Sequence, residues 1–178
     1  MRKKRRDALK ELFDIETALR GVDDGAGLDL NFEQPGCSGV RELVVLFEHQ
    51  YQSCSGYDSE GREFTAPMWK PIQAGVSLGG YAMLEFWGND SAPFSVVKVF
   101  ISTSDGSSFE DVELTIWPGD LNDSGDLRQR FLAWVYEIRA VLRAKRFYFR
   151  SSSVSWKYGN IKPGSGVIAV SEDFNACR

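Results

Sequence analysis

Hydrophobic residues recur along this chain in two rhythms, every second residue in some stretches and every three to four in others, and the changes of rhythm mark the elements. Leu9, Leu12, Phe13, Glu16 and Leu19 fall at helical spacing between Lys4 and Arg20, with Gly21 as a stop, so an amphipathic N-terminal helix is expected. Residues 22–39 are rich in Gly, Asp and Asn and contain Pro35, the composition of a loop. From Val40 to Cys54 the β-branched and aromatic content rises, and Leu43, Val45, Phe47, His49 and Tyr51 alternate as one face of a strand. Ser55 to Gly61 supplies a turn. Arg62 to Gln73 carries Pro67 and Pro71, which allow an edge strand or an irregular crossing but no central strand.

Tyr81–Trp87, Phe94–Thr103 and Phe109–Trp117 read as three consecutive strands of a meander, turning at Gly88-Asn89-Asp90 and Asp105-Gly106. In the third, Val112, Leu114 and Ile116 oppose Asp111, Glu113 and Thr115, which makes one face acidic and wet. Pro118 and Gly119 end it. Asp123, Ser124 or Asp126 can then cap a helix over residues 125–146 whose buried stripe is Leu127, Phe131, Trp134, Ile138, Val141 and Leu142. Phe147–Tyr158 and Gly166–Ser171 read as two closing strands. The expected fold is a single α+β domain: a mainly antiparallel meander sheet of about five to seven strands, with the N-terminal helix and the long helix packed on one side. Its parts would be a basic N-terminal helix (1–21), a loop (22–39) and a sheet-and-helix body (40–178).

A chain of 178 residues with 43% hydrophobic content can bury such a core without staples. The basic start, Arg2 to Arg6, is followed by Asp7-Ala8-Leu9-Lys10-Glu11 rather than an apolar run, so no export signal is expected, and no apolar stretch is long enough to cross a bilayer as a helix. Cys37, Cys54 and Cys177 lack CxxC spacing and read as free thiols in a reducing, cytoplasmic setting.

Charge is segregated. Five of the first six residues are basic; without them 16 basic side chains face 25 acidic ones, a net −9. Between Val99 and Leu127 there are seven acids and no Lys or Arg, and between Arg128 and Lys162 nine bases and one acid, Glu137. Such segregation either creates faces of opposite sign or folds into patches that neutralise each other.

Motifs that carry chemistry are few. His49, the only histidine, would sit in mid-strand and reads as structural. Zinc and other cofactors are not expected, for want of paired ligand spacing. The run Asp120 to Asp126 has the oxygen pattern of a calcium loop but places Phe131 where that loop needs a bidentate Glu, so a helix cap is the simpler reading. Gly75 to Gly80 lacks the Lys-Ser/Thr of a phosphate loop. Nothing reads as the active site of a familiar enzyme class. An enzyme built on dispersed carboxylates would need a pocket of carboxyls with raised pKa.

The leading expectation is a non-catalytic protein-binding module, an inhibitor or immunity-type antitoxin, that meets a basic protein partner through an acidic strand face. Its contacts would be Glu110, Asp111, Glu113 and Asp120, with Trp117, and less strongly Trp87, as aromatic anchors. The alternative is a nucleic-acid binder using the basic N-terminus and the basic, aromatic segment 143–162, with Arg143, Arg146, Arg150, Trp156 and Lys157 as contacts.

Overall fold

The computed structural model describes residues 15–21, 26–76, 79–88, 92–103, 109, 111–122, 126–153 and 167–170. A helical segment over residues 15–19 (α1) is followed by β1 (Leu28–Glu33), α2 (Cys37–Gln50), β2 (Ser53–Asp58), β3 (Glu63–Thr65), α3 (Trp69–Val76), β4 (Tyr81–Trp87), β5 (Val96–Ser102) and β6 (Asp111–Ile116). A 3₁₀ turn (Pro118–Asp120), α4 (Leu127–Leu142), β7 (Arg146–Ser151) and β8 (Val167–Val170) complete it. The strands form one antiparallel sheet of order β3-β2-β4-β5-β6-β1-β7-β8. The expected α+β architecture is therefore present, with eight strands among the described residues, more than the five to seven expected. The β4-β5-β6 meander lies where the alternating pattern put it.

Four stretches differ from expectation. Ser55 to Asp58, expected as a turn, belong to β2, which is hydrogen-bonded to β3 on one side and β4 on the other. Trp69 to Val76 form α3, which tolerates Pro71 because that residue lies in the first turn, where its missing N–H has no partner to lose. Residues 22–39 hold not only a loop but β1, which is hydrogen-bonded on both sides, to β6 and β7. Residues 40–54 are not a strand but mostly α2: Val40, Leu43, Val44 and Phe47 recur at helical spacing and are all buried, whereas Val45 and His49 point to solvent. The alternation of residues 43 to 51 was coincidental with this stripe. Tyr51, just past the helix, is buried against Phe47 and Phe86.

The residue rows that cross the sheet define its two faces. On the inner face Gly56, Leu84, Val99, Leu114, Leu30, Phe149 and Ala169 align across β2, β4, β5, β6, β1, β7 and β8, all buried. Helices cover that face. The Phe47 ring of α2 meets Phe86 edge-on at 5.3 Å, and Phe131 of α4 lies 5.3 Å from Phe149. The two helices approach closely at Gly39, where a Cβ would come within 2.6 Å of the Val141 carbonyl oxygen. Asp126 caps α4 by accepting from the Gln129 amide at 3.0 Å. At the other end Arg143 takes the left-handed conformation, φ 55°.

Candidate protein-interaction face

One residue further along each strand, the outer face carries Glu63, Tyr57, Met83, Phe100, Glu113, Asn31, Tyr148 and Val170 in a single row from β3 to β8. Exposure changes along it. Glu63 and Tyr57 are open to solvent, Met83, Phe100 and Glu113 are half-buried, and Asn31 and Tyr148 are buried. The face thus has an open half on β3, β2, β4 and β5 and a closed half on β6, β1 and β7.

The closed half is a charge network. Arg150 of β7 lies with Nη2 2.7 Å from the Asp29 carboxylate and 3.1 Å from Glu113, while its Nε donates to Asn31 Oδ1 at 2.9 Å. Asn31 in turn donates to Glu113, and Thr115 donates to Asp29 at 2.9 Å. Burial pushes the Asp29 carboxyl up to about 6, with Glu113 adding to the rise and Arg150 and Thr115 opposing it. Burial likewise raises Asp111 to about 7, again aided by Glu113 and opposed by hydrogen bonds from Asn31 and the Val112 amide, and among the described residues its Oδ1 is buried without a hydrogen-bond partner. These are carboxyls with raised pKa, yet Asp29 is 2% exposed and engaged on both oxygens, which closes it to a substrate.

The open half is aromatic as well as charged. Trp87 is 37% exposed and Tyr57 43% exposed. Trp87 pairs with Val96 at the end of β4, and Trp117 directly follows β6 at the same end of the sheet. Lys98 joins the two charge types there: it bonds Glu85 at 3.3 Å and its ammonium sits 5.2 Å above the Trp117 ring. Tyr81 and Phe100 stack obliquely at 5.3 Å toward the opposite end. Clefts indent this half. One of about 370 Å³ is lined by Ser55, Gly56, Tyr57, Glu63, Phe64 and Thr65. Another of about 330 Å³ lies among Ser59, Tyr81, Phe100, Ser102 and the glycines 75, 79 and 80.

The residues named from sequence are thereby distributed. Asp111 and Glu113 lie on the outer face, and Trp117 is half-buried beside its open half. Asp120 is half-buried in the 3₁₀ turn, where its carbonyl accepts from the Ser95 amide and hydroxyl. Glu110, Trp156 and Lys157 lie outside the described residues. Arg150 is not an exposed phosphate contact but the partner of Asp29 and Glu113, so one member of each expected set meets in a single network. Arg143 bridges Glu42 of α2 at 2.8 Å, and Arg146 is exposed on β7. Phe147, Tyr148 and Phe149 are all buried, so none offers a stacking surface. His49 is exposed near the end of α2 rather than set on an apolar strand face.

Sequence reasoning missed Tyr57, Met83, Phe100 and Lys98. The signal for Met83, Phe100 and Lys98 lay in the strict alternation of β4 and β5, where every second residue faces away from the helices. Tyr57 was hidden because Ser55 to Gly61 reads as a turn, whereas it lies in β2. Among the described residues no group of His, Cys, Asp and Glu is placed to hold a metal ion, and no helix is long and apolar enough to cross a membrane.

No protein-family model and no curated protein matches the chain. Among solved structures it is similar in fold to a chain of the 1.75 Å crystal structure of the toxic C-terminal tip of CdiA from Pseudomonas aeruginosa in complex with immune protein. The TM-score is 0.52 at 18% identity, covering 71% of this chain and 86% of that chain.

Proposed function

We propose that this chain is a protein-binding module of the immunity type, which works inside the cell by capping a toxic protein domain with the outer face of its sheet. The observation that carries the reading is the asymmetry of the sheet: the inner face is filled by helices, whereas the outer face leaves Tyr57 and Trp87 open beside charged side chains. Exposed aromatic residues flanked by polar ones are the usual anchors of a protein interface. The fold shared with a chain of a toxin–immune protein complex supports the class of partner.

The partner's contact surface is basic. Glu63 lies open on the outer face, Glu85 and Glu113 lie there with Lys98 and Arg150 as partners, and the chain as a whole carries a net −4. Trp117 and Trp87 serve as anchors at one end, with Asp111, Glu113, Asp120 and Glu110 contributing the field of the acidic stretch. Because Glu113 already holds Arg150, its contribution is to orient that network rather than to meet the partner alone.

The test is capture by the tagged chain from a nuclease-treated lysate of its source, identification of the stoichiometric protein, and expression of that protein in a bacterial host. The reading requires that this protein stop growth when expressed alone and that co-expression of the chain restore it. A captured protein without toxicity, or recovery that vanishes with nuclease, would overturn it; the latter outcome would point to nucleic acid as the ligand.

A further inference from the structure

We propose that the cleft where β3 meets β2 receives an arginine side chain of the partner, held between the Tyr57 ring and the Glu63 carboxylate; this rests on the protein-binding reading above. Tyr57 and Glu63 face each other across the β2–β3 ladder, which sets their Cβ atoms about 4.5–5.5 Å apart on one side of the sheet. Tyr57 is the most exposed large hydrophobic side chain among the described residues. Tyr57 and Glu63 both line the 370 Å³ cleft.

Glu63 differs from the acids around it. Glu85 is held by Lys98 at 3.3 Å, Glu113 by Arg150 at 3.1 Å and Glu60 by Arg62 at 3.4 Å. Glu63 is exposed, and among the described residues its side chain has neither an ion pair nor a hydrogen bond. A carboxylate left unpaired by the described residues, beside an open ring, is a ready site for a cation. Ser55 and Thr65, paired across the same two strands, add hydroxyl oxygens to the wall.

Geometry favours guanidinium over ammonium. A guanidinium is planar, so it can lie flat on the Tyr57 ring while one edge forks onto the Glu63 carboxylate and its remaining N–H groups reach hydroxyl acceptors. An ammonium can satisfy the ring or the carboxylate but matches the flat wall less well. The occupant is therefore an arginine, consistent with a basic partner meeting an acidic chain.

The test uses N-acetyl-arginine amide titrated into the ¹⁵N-labelled full chain, with N-acetyl-citrulline amide as the uncharged control of the same shape. Saturable shifts confined to the amides of residues 55–57 and 63–65, absent with citrulline and lost in Glu63→Gln and Tyr57→Leu, support the site. No shifts, equal shifts with citrulline, or shifts unchanged in Glu63→Gln overturn it. Failure here is separable from failure of the protein-binding reading. A captured protein that binds wild type and Glu63→Lys equally well, yet is lost with Trp87→Ala, would refute the arginine site alone. A Glu63→Lys variant that binds the captured protein at least tenfold more weakly, with its unfolding midpoint unchanged, supports it.

Discussion

With Nη2 close to both Asp29 and Glu113 and Nε on Asn31, Arg150 balances two acids in the largely buried part of the outer face. Removing one member of such a set leaves charge buried and uncompensated, which costs more than the set contributes when complete. Arg150→Met should therefore lower the unfolding free energy by about 3–5 kcal/mol, measured by urea denaturation, and by less when Asp29→Asn accompanies it. A pH dependence follows from the same network. Asp29 and Asp111 titrate near 6 and 7 in the folded chain and near 3.8 when unfolded. Across that window the folded state holds more protons than the unfolded one, so these two groups make stability fall as pH rises from about 4 to 7. Asp111→Asn removes its share, so the stability of the variant relative to wild type should increase between pH 5 and pH 8; a relative decrease would contradict the assignment. None of this was legible in the sequence. Asp29 and Arg150 are 121 positions apart, and only the pairing of β1 with β7 brings them together.

At the level of elements, α2 illustrates how one sequence window can satisfy two periodicities. Residues 43 to 51 alternate well enough to pass for a strand, but extending the window back to Val40 and including Val44 reveals the helical stripe, and Gly39 belongs to it for a reason of packing. Its missing side chain lets α2 lie against the backbone of Val141 and Leu142. Gly39→Val should cost at least about 2 kcal/mol by overpacking that contact. By contrast, the N-cap Gly36 has open space around its Cα and lacks a side-chain cap, so Gly36→Asp should stabilise by a few tenths of a kcal/mol. Thermal melts of the two variants would rank them in that order. β1 was hidden for the opposite reason: Leu28, Leu30 and Phe32 alternate cleanly with Asp29, Asn31 and Glu33, but the surrounding Gly, Asp and Pro residues outweigh so short a run. The meander and α4 were legible because their patterns are long and bounded by turn residues and a cap.

For the molecule as a whole, the order of strands decides where its surface lies open. The N-terminal β1 fills the gap between β6 and β7, so the acidic stretch and the basic stretch, separate in sequence, become adjacent and partly neutralise each other. Charge segregation read along the chain therefore overstated the acidity of the β6 face, and the exposed aromatic character moved to β2 and β4. Substitutions on that open half touch little of the core. Tyr57→Ala and Trp87→Ala should each lower stability by about 1 kcal/mol through lost cross-strand contacts, against the 3–5 kcal/mol expected for Phe47→Ala beneath the helices.

That difference makes the deciding measurement clean. The partner recovered by capture is purified, and its affinity for wild type and for the Tyr57→Ala/Trp87→Ala double variant is measured by calorimetry. Binding through the outer face predicts a one-to-one complex with wild type and a loss of affinity of at least a hundredfold in the double variant, which still unfolds cooperatively. Equal affinity for the two proteins would show that the partner binds elsewhere, and the outer face would lose its claim to be the binding surface.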